Sequence, residues 1–395
     1  MTRKFLSGDE ALAEGVRLAR PDVISAYPIT PQTVVVERLS EMVADRSLDA
    51  DFIHVESEHS ALSAAMGASV AGCRAFTATS SQGLLYMAEL LSYVAGGGFP
   101  VVMMNADRAT ALPWNIYGDQ RDSLGLLDQG WIQAYAKDAQ EALDFVLMAY
   151  RIAEDKRVQT PFMINLDGFA LTHTYETVDV PEQSQADAYL PPYQTENRFD
   201  FERPKSIGFS AGPATNDIFK FNEHAHMMNV LDVLPEAERD FAEIFGRRYT
   251  GALEPYRADD AEYVIVTLGT ISGLVADVVD ALRASGVKAG LVRLRYVRPF
   301  PDEQLVAALV GKKGVAVLEK DISFGYEGTV YSDVSSALYT AFSHGALAGT
   351  PPQTFSYVGG LGGRDITAED IVSIFSTMVD GENPPSHSFL GMGVH

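Results

Sequence analysis

FIHVESEHSALSAAMGASVAGCRAFTATSSQG, residues 52–83, is the stretch on which the fold turns. It opens on a short strand, FIHV. Glu56 and Glu58 then stand at the start of a segment, Ser57 to Gly72, made mostly of Ala, Ser and Gly. Leu62, Met66 and Val70 recur there at helical spacing, so the segment is expected to be a helix. Little side chain stands on its other faces, which lets a second backbone or a flat ligand approach closely. Glu58 falls in the first turn, where the helix dipole favours a carboxylate. A second strand, Arg74 to Thr79, ends in the polar run Thr79-Ser80-Ser81-Gln82-Gly83. In parallel α/β sheets, ligands gather at the carboxyl ends of strands, where such runs lie. Taken alone, the stretch also fits a close-packed core helix with a capping glutamate.

Upstream, Ser7 to Asp9 mark a helix start ahead of Ala11, Leu12, Val16 and Leu18. A strand over Val23 to Ala26 ends at YPITPQT, residues 27–33, where Pro28 and Pro31 bracket Ile29-Thr30. The prolines hold this backbone extended and then turn it into a helix, which fixes the place of the Thr30 hydroxyl. A plain proline-punctuated turn gives the same pattern. Downstream, a helix over about Leu84 to Ala95 precedes an apolar strand, Pro100 to Asn105, that ends at Ala106-Asp107-Arg108. The loop Ala109 to Asp128 carries Trp114, Asn115, Tyr117, Gly118, Asp119, Gln120, Arg121 and Asp122. Loops of this length between regular elements tend to be functional. Helix Gln140 to Ala153 and strand Pro161 to Leu166 complete a doubly wound parallel α/β sheet in a first domain, residues 1–180.

Residues 181–257 are rich in Pro, Gln, Asn and Asp and read as an extended connector with one helix, about Leu234 to Phe245. A second α/β domain, 258–395, alternates YVIVTLG, AGLVRLR and GVAVLEK with helices. GGLGGRD, 359–365, reads as a glycine-rich turn into a helix capped by Thr367.

The net charge of -23 argues against binding phosphate backbones or anionic membranes. A single cysteine, Cys73, excludes a disulfide framework and any cluster held by cysteines of this chain alone, and it reads as a small core residue. The eight histidines lack ligand spacing, so no metal site is expected. No long apolar run or leader-like N-terminus is visible, and the expected location is cytoplasmic. What the residues offer is three strand ends presenting Thr30, Glu58 and Arg108. An arginine there suits a substrate carboxylate held bidentately, and a carboxylate beside a close-approach helix suits proton transfer to a ring nitrogen. The residues themselves lead as far as an anionic small-molecule site on a two-domain α/β protein.

YPITPQT at 27–33, VESEHSA at 55–61, TATSSQGL at 77–84, DSLGLLDQGWIQ at 122–133, NLDGF at 165–169, VRPFP at 297–301 and GLGGRD at 360–365 resemble the alpha subunit of 2-oxoacid:ferredoxin (acceptor) oxidoreductases, the family of pyruvate synthase. The match runs from the first helix nearly to the C-terminus. The resemblance implies a first domain like the pyrimidine-binding half of thiamine diphosphate enzymes and a second like the transketolase C-terminal domain. It implies Glu58 against the aminopyrimidine of thiamine diphosphate, with Ser81 and Gln82 beside the cofactor. Thr30 and Arg108 would hold the substrate carboxylate. The reaction implied is oxidative decarboxylation of a 2-oxoacid to acyl-CoA and CO2, with CoA as co-substrate. The usual magnesium–diphosphate motif, GDG with a following Asn, is absent. A beta subunit would therefore carry it, and gamma and ferredoxin-like delta subunits would hold the iron–sulfur clusters. Ferredoxin or a nicotinamide-reducing subunit would take the electrons.

Trp114 stands where the family's pyruvate-type loop has an aliphatic residue, and Gln120 where it has histidine. With Tyr117, Trp114 would suit an aryl 2-oxoacid, as in phenylglyoxylate dehydrogenase, while packing of both rings onto the sheet leaves pyruvate as substrate. A non-catalytic scaffold subunit and a non-oxidative transketolase-like chain are the competing classes. The trio Thr30, Glu58 and Arg108 argues against the first, and the GLGGRD and DQGWIQ motifs against the second.

Overall fold

A computed structural model of the chain describes residues 1–346, 350–381 and 388–394. β1 (Thr2–Ser7) runs straight into α1 (Gly8–Ala19) through a capping box. The Ser7 hydroxyl accepts from the Glu10 amide at 3.2 Å and the Glu10 carboxylate accepts from the Ser7 amide at 3.1 Å, so neither amide is left open. β2 (Val23–Ala26), α2 (Thr33–Ala44), β3 (Asp51–His54), α3 (Glu58–Ala71) and β4 (Ala75–Thr79) follow. Then come α4 (Gln82–Tyr86), α5 (Ala88–Gly96), β5 (Val102–Asp107), α6 (Arg121–Leu124), β6 (Ile132–Tyr135), α7 (Ala139–Ala153), β7 (Phe162–Asp167) and β8 (Tyr175–Val180). β8 pairs antiparallel with β1.

Helix α7 is almost wholly buried and forms the spine of the first core. α1 crosses it so closely that a Cβ on Gly15 would lie 2.7 Å from the Leu143 carbonyl oxygen, which only glycine permits. The helical segment expected from Leu84 to Ala95 is two helices, α4 and α5, broken at Met87. The long loop is not structureless, since α6 and a single 3-10 turn at Leu127–Gln129 lie inside it. β1, β6 and β8 went unread because each is short and their mixed patterns resemble loop.

Residues 181–257 depart most from expectation. In place of an extended connector with one helix they hold α8 (Gln183–Tyr189), α9 (Pro213–Met228), α10 (Val230–Phe245) and β9 (Leu253–Tyr256). α10 packs Val233, Leu234, Ala237 and Phe241 into the first core, and β9 belongs to the second sheet. α9 buries none of its residues, although Ile218, Phe221, Ala225 and Met228 recur in it at helical spacing.

The second unit comprises β10 (Tyr263–Leu268), α11 (Ile271–Ala284), β11 (Ala289–Leu294), β12 (Tyr296–Arg298), α12 (Asp302–Leu309), β13 (Gly314–Glu319), α13 (Thr329–Ser343), β14 (Gln353–Val358) and α14 (Ala368–Asp380). Thr367 caps α14, its hydroxyl accepting from the Asp370 amide at 3.2 Å. The sheet order is β14-β13-β10-β11-β9, extended beyond β14 by Ser388–Phe389 and Gly393–Val394. In the first sheet the order is β12-β6-β7-β5-β4-β2-β3, parallel except for β12.

β12 therefore leaves its own unit and closes the edge of the other. Beside it, Arg293 and Arg295 reach across to Glu141 on α7 at 2.8 to 2.9 Å, all three side chains buried. Asp167 at the end of β7 accepts from the Thr270 amide at 2.7 Å at the start of α11, and from Lys320 at 3.0 Å. The seam thus places a carboxylate on a helix N-terminus, where the dipole favours it. No helix among the described residues is long and apolar enough to cross a membrane.

Candidate active site

After β2 the chain steps outward to β3, returns through α3 to β4 on the other side of β2, and continues to β5. The direction of winding reverses between β2 and β4, which opens a crevice at their carboxyl ends. Thr30 follows β2, Ser81 and Gln82 follow β4, Arg108 follows β5, and Glu58 opens α3. The structure brings Thr30, Glu58, Gln82 and Arg108 to this one rim.

Arg108 is nearly buried. Its Nη1 donates to the Thr30 carbonyl at 2.7 Å and Nη2 to Gln82 Oε1 at 3.4 Å, while its buried Nε has no partner. Among the described residues no carboxylate is bonded to its guanidinium. Burial pushes its pKa below the ordinary arginine value, against the raising effect of the Asp122 and Glu58 charges. A desolvated guanidinium with an unfilled donor is suited to a planar anion. Thr30 is exposed and meets Arg108 through its carbonyl, which leaves the hydroxyl free.

Glu58 lies at the N-terminus of α3, whose Ser57 hydroxyl accepts from the Ser60 amide at 3.2 Å. It is 9% exposed, and none of the described residues hydrogen-bonds its carboxylate. Gly83 covers it, since a Cβ there would stand 2.8 Å from Glu58 Oε1 and 2.6 Å from Thr79 Oγ1. An unbonded carboxylate at such depth asks for a donor from outside the chain. The residues at this end fit the protonatable face of an aminopyrimidine, as expected for thiamine diphosphate.

Ser81 and Gln82 have different places. Gln82 is half-buried and points at Arg108, whereas Ser81 is fully buried, its Oγ 2.7 Å from the Ala109 carbonyl and 2.6 Å from Gln82 Oε1. Ser81 supports Gln82 from behind rather than facing the crevice. The loop residues also divide. Tyr117 packs its ring 5.1 Å from that of Phe169, and Trp114 projects outward, 73% exposed. Gln120, expected to reshape the pocket, is instead fully buried at the seam, where Nε2 donates to Asp167 at 3.2 Å. A loop side chain's direction depends on where the second unit docks, which local sequence does not reveal. Cys73, read as a core residue, is only half-buried.

Asp122 had no role in the sequence reading. It is fully buried on α6, and Oδ2 accepts from the Ser81 amide at 2.8 Å and the Arg108 amide at 3.2 Å. Burial pushes its carboxyl up to about 7, and burial together with the Asp122 and Asp167 charges pushes Asp107 well above the carboxylate range. Among the described residues no cluster of His, Cys, Asp and Glu is arranged to hold a metal ion.

Residues 14–239 match the thiamine diphosphate-binding domain model of pyruvate flavodoxin/ferredoxin oxidoreductases, and 261–371 match core domain II of pyruvate:ferredoxin oxidoreductase. The chain is 43% identical over 374 residues to pyruvate synthase subunit PorA of Methanothermobacter thermautotrophicus, spanning 95% of this chain and 94% of that one. It is 41% identical over 377 residues to ketoisovalerate oxidoreductase subunit VorA of Pyrococcus horikoshii, spanning 95% and 93%. In fold it is similar to 2-oxoglutarate:ferredoxin oxidoreductase from Magnetococcus marinus, solved with 2-oxoglutarate, coenzyme A and succinyl-CoA bound. The TM-score is 0.71 at 21% identity, covering 95% of this chain and 65% of that one. A split-gene transketolase, solved as an inactive beta4 tetramer, gives a TM-score of 0.51 at 14% identity, covering 96% of this chain and all of that one. The doubly wound first sheet, the transketolase-like second unit and the sequence matches agree, and the chain belongs to the 2-oxoacid:ferredoxin oxidoreductase family as an alpha subunit.

Proposed function

We propose that this chain supplies the 2-oxoacid site and the aminopyrimidine contact of a CoA-acylating 2-oxoacid oxidoreductase. The observation that carries it is the buried Arg108 guanidinium, held by a carbonyl instead of a carboxylate, beside the unbonded Glu58. Thiamine diphosphate, when bound, supplies the nucleophilic carbon and electron sink that decarboxylation of a 2-oxoacid needs. Glu58 would share a proton with N1′ of the bound aminopyrimidine through its carboxylate, which no described residue of this chain hydrogen-bonds. Arg108 and the Thr30 hydroxyl receive the substrate carboxylate, and Gln82 keeps the guanidinium aimed. A beta subunit brings the diphosphate and magnesium contacts, and gamma and ferredoxin-like delta subunits carry the iron–sulfur clusters, since one cysteine cannot bind a cluster alone. Electrons pass on to ferredoxin or a nicotinamide-reducing subunit.

Within the class, a small aliphatic 2-oxoacid is favoured over an aryl one. Tyr117 is engaged with Phe169 and Trp114 faces away from the sheet, and the named relatives act on pyruvate and ketoisovalerate. The test is viologen reduction by the native complex purified through this chain, given thiamine diphosphate and CoA. Pyruvate, 2-oxoisovalerate, 2-oxoglutarate and phenylglyoxylate are compared. The expected result is preference for pyruvate or 2-oxoisovalerate. Preference for phenylglyoxylate would turn Trp114 and Tyr117 into an aryl pocket, and no reduction with any of them would return the chain to a scaffold.

A further inference from the structure

We propose that Asp122 is a positioning residue whose buried carboxylate sets the backbone at Ser81 and Arg108 and thereby aims Gln82 and Arg108 at the 2-oxoacid. The inference rests on Arg108 as the substrate-carboxylate contact. One oxygen, Oδ2, joins the turns after two neighbouring strands by accepting from the amides of Ser81 and Arg108 at 2.8 and 3.2 Å. Oδ1 accepts from the Ser123 amide at 2.9 Å, and Asn105 Nδ2 stands 3.4 Å from Oδ2. Ser81 is held at φ 50 and ψ -123, a region a residue with a side chain enters only when its surroundings impose it. The Asp122 bond is what fixes its amide. Arg108, with Nε unpartnered, owes its direction to the backbone it leaves from, to the Thr30 carbonyl and to Gln82 Oε1. α6 ends the 109–120 loop, so that loop's placement is passed to both site side chains through this one carboxylate.

Asparagine would keep its carbonyl toward the Ser81 and Arg108 amides, so the informative change is to alanine, which removes the acceptor from both. In the assembled complex, Asp122→Ala is expected to raise the KM for the 2-oxoacid about tenfold while the KM for CoA stays unchanged. Arg108→Ala gives the reference split between the two KM values. Ser123→Ala loses bonds to Asp107 and Tyr135 but none to the two amides, so it should lower the thermal midpoint without the split. If Asp122→Ala shifts both KM values equally or neither, the proposal is overturned while Arg108 keeps its role. If Arg108→Ala shows no split, both fall.

Should Asp122→Ala fail to assemble, the unmodified complex still decides. Burial pushes Asp122 up to about 7, and protonation removes acceptor capacity. The KM for the 2-oxoacid should therefore rise as pH falls through that value, with the KM for CoA flat. The titratable groups around it are Asp107 and Arg108 on and after β5, Asp119 in the loop and Tyr135 on β6, with Asp167 on β7 acting on Asp107. A 2-oxoacid KM constant across that range would overturn the proposal.

Discussion

Arg108 is held by a carbonyl rather than by a carboxylate, and the difference decides what it can bind. Paired with an acid, its charge would be neutralised and its fork filled; bonded to the Thr30 carbonyl at 2.7 Å, it keeps both charge and donors. Glu58 is the complement, a carboxylate at a helix N-terminus with no donor of its own chain. Both residues were legible in the sequence, since each follows a strand at a polar punctuation and strand ends in parallel sheets converge. Trp114, Tyr117 and Gln120 were not legible in the same way. Trp114 stands in solvent, and Tyr117 and Gln120 take their places from Phe169, Asp167 and Lys320, which lie from about fifty to two hundred residues away. Asn115 Nδ2, for instance, donates to the Gly362 carbonyl at 2.9 Å. Asp122 was hidden for a related reason: an acid in a loop reads as solvated until the fold buries it.

At the scale of elements, the candidate rim depends on α4 starting against α3. Gly83 makes that approach possible, because a Cβ would stand 2.6 Å from Thr79 Oγ1 and 2.8 Å from Glu58. Gly83→Ala should lower the thermal midpoint by a shift worth about 1–3 kcal/mol of overpacking. It should also cut dye reduction more than the lost stability explains, since Glu58 must yield. Unfolding curves and turnover measured on the same preparation check this. The polar run after β4 marks a strand end in the sequence, but nothing there marks α4 and α5 as separate helices, because Met87 is itself a good helix former. The 181–257 stretch was misread in the opposite sense. Its proline content suggested an extended chain, yet Pro213 opens α9 at its first turn, and Pro235 lies within α10.

At the scale of the whole molecule, the two sheets are locked by a buried ionic cluster and by β12. Arg293 and Arg295 hold the Glu141 carboxyl down to about 2, against burial that would raise it. A lowered carboxylate pKa stabilises the fold above the usual 4.5, and that contribution is lost as pH falls from there towards 2. Glu141→Gln leaves two buried guanidinium groups short of a partner and should cost about 3–5 kcal/mol at neutral pH. In thermal unfolding across pH, the gap between variant and unmodified protein should narrow as pH drops through that window; a constant gap would remove the ion pair as its cause. The candidate rim lies at the carboxyl ends of the strands of the first sheet. The most direct test of the function proposed for it is Glu58→Gln in the assembled complex, measured by 2-oxoacid-dependent viologen reduction beside the thermal midpoint. The expected result is loss of about a hundredfold or more in kcat with unchanged assembly. Full activity in an assembled Glu58→Gln complex would contradict it.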